Sequence, residues 1–172
     1  WTNDGSSYFK SEKSQLVTYS LPGNEMKVVI SKEQLTPAGR SEPLDIAHFS
    51  FSSDQQKVLL FANTKRVWRL NSKGDYYVYN FKTNALTQIG KSLPASSLMF
   101  AKFSPDGKTI AYVSQNNLYS EDYASGKITA LTSNGTVSLI NGTFDWAYEE
   151  EFACRDGFRW SPDSKSIAYW QI

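Results

Sequence analysis

Along this chain, short stretches recur in which large apolar side chains alternate with small or polar ones. Met99-Phe100-Ala101-Lys102-Phe103 is one and Thr109-Ile110-Ala111-Tyr112-Val113 is the next. A period of two is what a β-strand imposes, because successive side chains point to opposite faces, so strict alternation is expected through both segments. Phe49 and Phe51 followed by Val58-Leu59-Leu60-Phe61, and Phe158 and Trp160 followed by Ile167-Ala168-Tyr169-Trp170, repeat the pattern.

The segments joining these strands are themselves a repeat. They read Phe51-Ser52-Ser53-Asp54, Phe103-Ser104-Pro105-Asp106 and Trp160-Ser161-Pro162-Asp163, with a further copy at Trp1-Thr2-Asn3-Asp4. Seven positions past each aromatic stands a large apolar residue: Tyr8, Val58, Ile110 and Ile167. Ser and Asp fold their side chains onto nearby backbone amides, so each copy predicts the turn of a hairpin. The first copy departs from the others, with Lys10 where they carry Leu60, Tyr112 and Tyr169.

A second strand pair comes after each hairpin. Tyr76-Tyr77-Val78-Tyr79-Asn80-Phe81 leads through Lys82-Thr83-Asn84 into Ala85-Leu86-Thr87. Asn117-Leu118-Tyr119 leads through Ala124-Ser125-Gly126-Lys127 into Ile128-Thr129-Ala130-Leu131-Thr132. Each unit therefore supplies about four antiparallel strands, and copies begin 50, 52 and 57 residues apart. That period suits four-stranded β-propeller blades, three of them plus the opening of a fourth. The fold class is all-β, a partial propeller; a β-sandwich is the competing architecture, and the repeated aromatic-Ser-Pro-Asp hairpin favours the propeller. Propellers close with about four to eight blades, so exposed blade faces are expected to drive self-association of the chain.

Composition narrows the function classes. The chain has 172 residues, 40% of them hydrophobic, and a formal net charge of +1. It has enough apolar content for a core and no basic surplus to bind nucleic acid. No apolar run is long enough to span a membrane, and the start carries no signal-peptide pattern, so the chain is expected to be cut from something longer. The single cysteine, Cys154, excludes an internal disulfide; no Cys/His cluster suggests a metal, and no fingerprint suggests a cofactor. No Gly-x-Ser-x-Gly occurs, and the one histidine, His48, lies beside Phe49 in an apolar strand, so no catalytic residue is assigned. Two Asn-Gly-Thr triplets, at Asn134 and Asn141, match the glycosylation acceptor pattern, although Asn-Gly is also a turn signal.

One segment breaks the strand pattern. Asp145-Trp146-Ala147-Tyr148-Glu149-Glu150-Glu151-Phe152 does not alternate and begins with a good helix N-cap, which predicts a short helical turn over 145–152. On a helix, neighbouring side chains diverge by about 100°, so two adjacent glutamates can converge on one spot as they cannot on a strand. Carboxylates held together need a cation, and a peptide's free N-terminus is one; a solvated acidic corner with its aromatics packed on the blade is the plainer alternative.

The segment Asp145-Trp146-Ala147-Tyr148-Glu149-Glu150-Glu151 resembles the double-glutamate motif of the dipeptidyl peptidase IV family, serine exopeptidases of the prolyl oligopeptidase clan. Arg155-Asp156-Gly157-Phe158-Arg159-Trp160-Ser161-Pro162-Asp163 and Ile167-Ala168-Tyr169-Trp170 are similar to the bacterial members in particular. Ala147 departs from the commoner valine of the motif. The resemblance covers essentially residues 1–172 as the first half of an eight-bladed N-terminal propeller, and implies a C-terminal α/β-hydrolase domain, absent from this chain, that carries a Ser-Asp-His triad.

By the same resemblance Glu150 and Glu151 would bind the substrate α-ammonium, with Glu149 structural or solvated. An arginine after a tryptophan in an earlier blade would bind the substrate carbonyl and support the glutamates. Trp68-Arg69 fits that arginine, with Lys65 and Arg66 as other candidates. The implied activity of the parent protein is removal of N-terminal dipeptides with Pro or Ala second, by an enzyme in the periplasm, on the cell surface or outside the cell. The implied partners are a peptide with a free N-terminus and the parent hydrolase domain. A tripeptidyl peptidase propeller, a non-catalytic protein-binding scaffold and a lectin-like module are the alternatives.

Overall fold

The computed structural model describes residues 1–172. Thirteen strands and one helix make successive antiparallel meanders. The first sheet contains β1 (Ser7–Glu12), β2 (Gln15–Ser20) and β3 (Met26–Ile30). The second contains β4 (His48–Phe51), β5 (Lys57–Lys65), β6 (Lys73–Asn80) and β7 (Ala85–Ile89). The third contains β8 (Leu98–Phe103), β9 (Thr109–Ser114), β10 (Asn117–Asp122) and β11 (Ile128–Ala130). After the helix α1 (Trp146–Phe152), the pair β12 (Phe158–Trp160) and β13 (Ile167–Tyr169) opens a fourth unit. This is a partial β-propeller. Its first sheet has three strands, of which β1 follows the Trp1 copy of the turn as β5, β9 and β13 follow theirs.

The turn repeats atom for atom. Ser52, Ser104 and Ser161 each donate Oγ–H to the aspartate two positions on, at 2.6 Å, and Thr2 does the same at 2.7 Å. Each hydroxyl oxygen also accepts the backbone N–H five positions later, at Ser7, Lys57, Thr109 and Ser166. Each aspartate accepts the N–H two positions later. The residue after every aspartate is left-handed: Gly5 (φ 71°), Gln55 (53°), Gly107 (68°) and Ser164 (63°). Glycine takes this conformation without steric cost, whereas Gln55 and Ser164 hold it against their Cβ atoms. These hydrogen bonds keep the carboxyls of Asp4, Asp54, Asp106 and Asp163 below the usual aspartate range, that of Asp4 at about 2. Neighbouring turns also touch. Ser53 Oγ donates to the Pro105 carbonyl (2.8 Å), and the Asp106 N–H donates to Ser164 Oγ (3.0 Å).

The core lies between blades, not within them. Val58, Leu60 and Ala62 of β5 with Tyr77 and Tyr79 of β6 pack against Leu16 and Ile30 of the first sheet. The alternate residues Leu59, Phe61, Tyr76 and Val78 pack the other way, against Leu98, Ile110 and Tyr112 of the third. Ala111, Val113 and Leu118 then meet Phe158 of the fourth unit. A strand in a middle blade is thus buried on both faces, which is why β5, β6 and β9 read as nearly continuous apolar runs. Glu121 ties two blades together: its Oε2 accepts from the Gly90 N–H after β7 (2.8 Å) and from Tyr112 Oη (3.0 Å).

The strict alternation expected over 99–103 fails. Between Met99 and Lys102 the β8–β9 register shifts by one residue, and Phe100 takes φ 55°. An extra residue in one strand flips every side chain after it to the other face. Met99 and Phe100 consequently pack together with Val113 and Phe158, while Ala101 and Phe103 face the opposite cluster.

Asn141 is fully buried. Its Nδ2 donates to the Asn116 carbonyl and to Asn134 Oδ1, and its Oδ1 accepts from Gln171, so its amide is committed to the fold; Asn134 is exposed. His48 is exposed, opposite Phe61 and against Phe49.

Candidate functional site

Helix α1 begins where Asp145 accepts the Tyr148 N–H (3.0 Å) as N-cap. It ends at Ala153, left-handed at φ 54°, where the Cys154 N–H returns to the Tyr148 carbonyl. Two turns is too short for a helix to be stable by itself in water, so contacts outside it must hold it. The apolar contact outside the helix is that of Tyr148 with Phe144. Trp146, Tyr148 and Phe152 are all exposed, and Glu149 is the one buried residue of the helix. The aromatics form a largely exposed cluster, with Tyr148 against Phe144 and Phe152, and Phe144 against Trp170 after β13.

The three glutamates have three environments. Glu149 is 6% exposed and faces Arg155, with Oε1 and Nε 3.6 Å apart. Glu150 has a shielded side chain and forms an ion pair with Nε of Arg69, whose own side chain is largely exposed. Glu151 is exposed. Successive helical positions diverge by about 100°, so the three point in successive directions: Glu149 inward to Arg155, Glu150 to Arg69, and Glu151 to the open side.

Arg69 reaches the helix from a different blade. It sits on the long connection between β5 and β6, which a bulge between Ala62 and Lys65 redirects; Asn63 at that bulge (φ 49°) donates to Asp75. Val67 of the same connection packs into the cluster between the third and fourth units, which carries Arg69 across to α1. Neither of the other two basic residues forms an ion pair with α1. Lys65 closes the β5–β6 ladder opposite Lys73, and Arg66 donates to the Trp68 carbonyl (2.8 Å).

Beside this constellation a cleft of about 610 Å³ is lined by His48, Ser50, Leu70, Lys102, Arg155 and Arg159 among others. Its floor is a tight ionic knot. Lys102 Nζ donates to both oxygens of Asp156 (2.5 and 2.6 Å) and to the Phe158 carbonyl (3.0 Å), and lies 3.9 Å above the Phe158 ring. Burial pushes the Lys102 ammonium below its ordinary pKa, opposed by the hydrogen bond and attraction of Asp156. No group of three or more His, Cys, Asp or Glu is placed to hold a metal ion.

The family model described as the dipeptidyl peptidase IV N-terminal region matches residues 52–172. This chain belongs to the dipeptidyl peptidase IV family. A Schizosaccharomyces pombe relative that bears the name of a dipeptidyl aminopeptidase is 33% identical over 165 residues, 95% of this chain and 20% of its own length. The mouse prolyl endopeptidase FAP is 29% identical over 171 residues, 98% of this chain and 21% of its own. The crystal structure of Porphyromonas gingivalis dipeptidyl peptidase 4 superposes with a TM-score of 0.79 at 25% identity, covering 94% of this chain and 23% of that one. The chain thus spans about a fifth of the length of these two relatives.

Within this family region the structure brings Glu150 and Arg69 together and leaves Glu151 open beside them. Sequence reasoning missed the partner of Glu149. Arg155 offered only a weak signal, a basic residue six positions after a glutamate, just past a two-turn helix. The Lys102–Asp156 pair was invisible, because the bulge that sets the course of β8 has no glycine or proline to announce it.

Proposed function

We propose that this chain is part of the N-terminal propeller of a serine exopeptidase, in which α1 and Arg69 hold the free amine end of a peptide substrate. The observation that carries the reading is the Arg69–Glu150 ion pair beside the exposed Glu151, on the one helix of an otherwise all-β chain. An α-ammonium has three N–H donors and a full positive charge, and two carboxylates on adjacent helical positions can each accept one of them. Arg69 offsets the repulsion between the two carboxylates and leaves its remaining N–H donors for the substrate's first carbonyl.

Anchoring the amine fixes how far the peptide reaches, so the hydrolase domain that would come next in the parent protein cuts at a set distance from the N-terminus. The dipeptidyl peptidase names of several relatives favour a two-residue count, and Pro or Ala as the second residue is what the family resemblance implies. The test is made on the full-length peptidase, comparing a Gly-Pro chromogenic amide with its N-acetylated twin. The free amine should be cleaved much faster, and Glu150→Gln or Glu151→Gln should lower kcat/KM by roughly ten- to a hundred-fold, the value of one charge-assisted hydrogen bond. Equal cleavage of both amides would overturn amine anchoring. Cleavage only of substrates one residue longer would move the assignment to a tripeptidyl peptidase, and no cleavage of any would leave a scaffold.

A further inference from the structure

Helix α1 is anchored in an unusual way. A surface helix ordinarily docks through a buried apolar stripe, yet the one buried residue of α1 is the carboxylate-bearing Glu149, while Trp146 and Phe152 are exposed and Tyr148, against Phe144, is 40% exposed. Glu149 Oε1 accepts no hydrogen bond and Arg155 Nε donates none; both atoms are buried, 3.6 Å from each other. A buried carboxylate without a counter-charge is strongly disfavoured, so the helix can keep Glu149 inside only while Arg155 stays opposite it.

Arg155 is itself held from both sides. Its carbonyl accepts from Oγ1 of the buried Thr143 (2.9 Å), and the next residue, Asp156, is gripped by Lys102 of β8 and by Arg159 Nη1 (3.0 Å). The chain of contacts runs from the inner strand of the third blade, through Lys102, Asp156 and Arg155, to Glu149. Since Glu149 sits about 100° around the helix from Glu150, any rotation of α1 that frees Glu149 also carries Glu150 away from Arg69.

We propose that Arg155 is a positioning residue for the amine-anchoring site: through Glu149 it sets the rotation of α1 about its own axis, and so the direction in which Glu150 and Glu151 are presented. This rests on the function proposed above for those two glutamates, but its first test does not. In this chain, Arg155→Met should speed hydrogen exchange of the amides of residues 146–153 by about tenfold or more, with β5 and β9 unchanged. Arg155→Lys should restore most of the protection. The double variant Glu149→Gln/Arg155→Met, which leaves no unpaired charge inside, should exchange more slowly than Arg155→Met alone. Wild-type exchange over α1 in Arg155→Met would overturn the proposal.

In the full-length peptidase, Arg155→Met should raise KM for the free-amine Gly-Pro amide by about tenfold and leave kcat within about twofold, since only the anchor is displaced. A fall in kcat with unchanged KM would mark loss of folded enzyme and overturn positioning. If the wild-type enzyme discriminates free from acetylated amide while both Arg155→Met and Glu149→Gln keep its KM, the proposal fails and the amine reading stands. If the wild-type enzyme does not discriminate, the amine reading fails, and the exchange measurement still decides whether Arg155 orients the helix.

Discussion

The middle blades and the β12–β13 hairpin carry the same turn with the same hydrogen bonds, yet the strand leaving the turn is buried in one and open in the other. After Ser104-Pro105-Asp106, Ile110 and Tyr112 are fully buried; after Ser161-Pro162-Asp163, the equivalent Ile167 is half-buried and Tyr169 is 43% exposed. The first sheet shows the same edge effect, with Lys10 exposed where Leu60 is fully buried in the second. A turn is closed by its own side chains, whereas burial requires a blade on each side. Local structure here is a property of about ten residues, and the core is a property of neighbours.

The largest break in this parallel should come from Tyr112. Tyr112→Ala empties a packed site between blades and should cost about 3–5 kcal/mol, against under about 1 kcal/mol for Tyr169→Ala, in urea unfolding of the chain. Equal costs would mean that the outer hairpin is covered in solution. Next comes Glu121, which burial pushes above the ordinary glutamate pKa while the Gly90 N–H and Tyr112 Oη pull it back. Glu121→Ala leaves both donors without a partner and should cost about 1–3 kcal/mol in the same measurement, with Glu121→Gln costing less.

The smallest effect is the one that the two regions should share. Asp106→Ala and Asp163→Ala remove the same local hydrogen bonds at the surface, so each should lower the urea midpoint less than Glu121→Ala does. The two shifts should agree within error, although one blade is internal and the other is not. The pH dependence comes from the same groups. The folded-state pKa values of Asp4, Asp54, Asp106 and Asp163 all lie below the unfolded value of 3.8, that of Asp4 at about 2. Their stabilisation is therefore present above the unfolded value and is lost as the pH falls from there toward 2. Unfolding midpoints measured across that window should fall, and less steeply in a variant with Asp106 and Asp163 both changed to Asn.

The candidate site divides along the same line. The helix over 145–152 was legible because Asp145 caps it, the pattern stops alternating, and the glutamates are consecutive. Arg69 was one of three neighbouring basic residues, and only the bulge near Asn63 and the packing of Val67 bring it, rather than Lys65 or Arg66, to Glu150. Lys102 was not legible as a site residue, since its partner Asp156 lies in another unit, nor was Arg155, since no local pattern says that Glu149 turns inward to meet it.

The sequence by itself determined the four turns and the helix, because each rests on residues within hydrogen-bonding reach along the chain, and the blade count and the family, because a repeat and a motif are patterns of residue type. Tertiary structure alone decided which face of β8 carries Lys102, that Glu149 points inward while Glu151 does not, and that blade-to-blade contact buries Tyr112 but not Tyr169. A bulge and an ion pair between distant residues shift side chains by one face or one helical step, and a local pattern cannot register either.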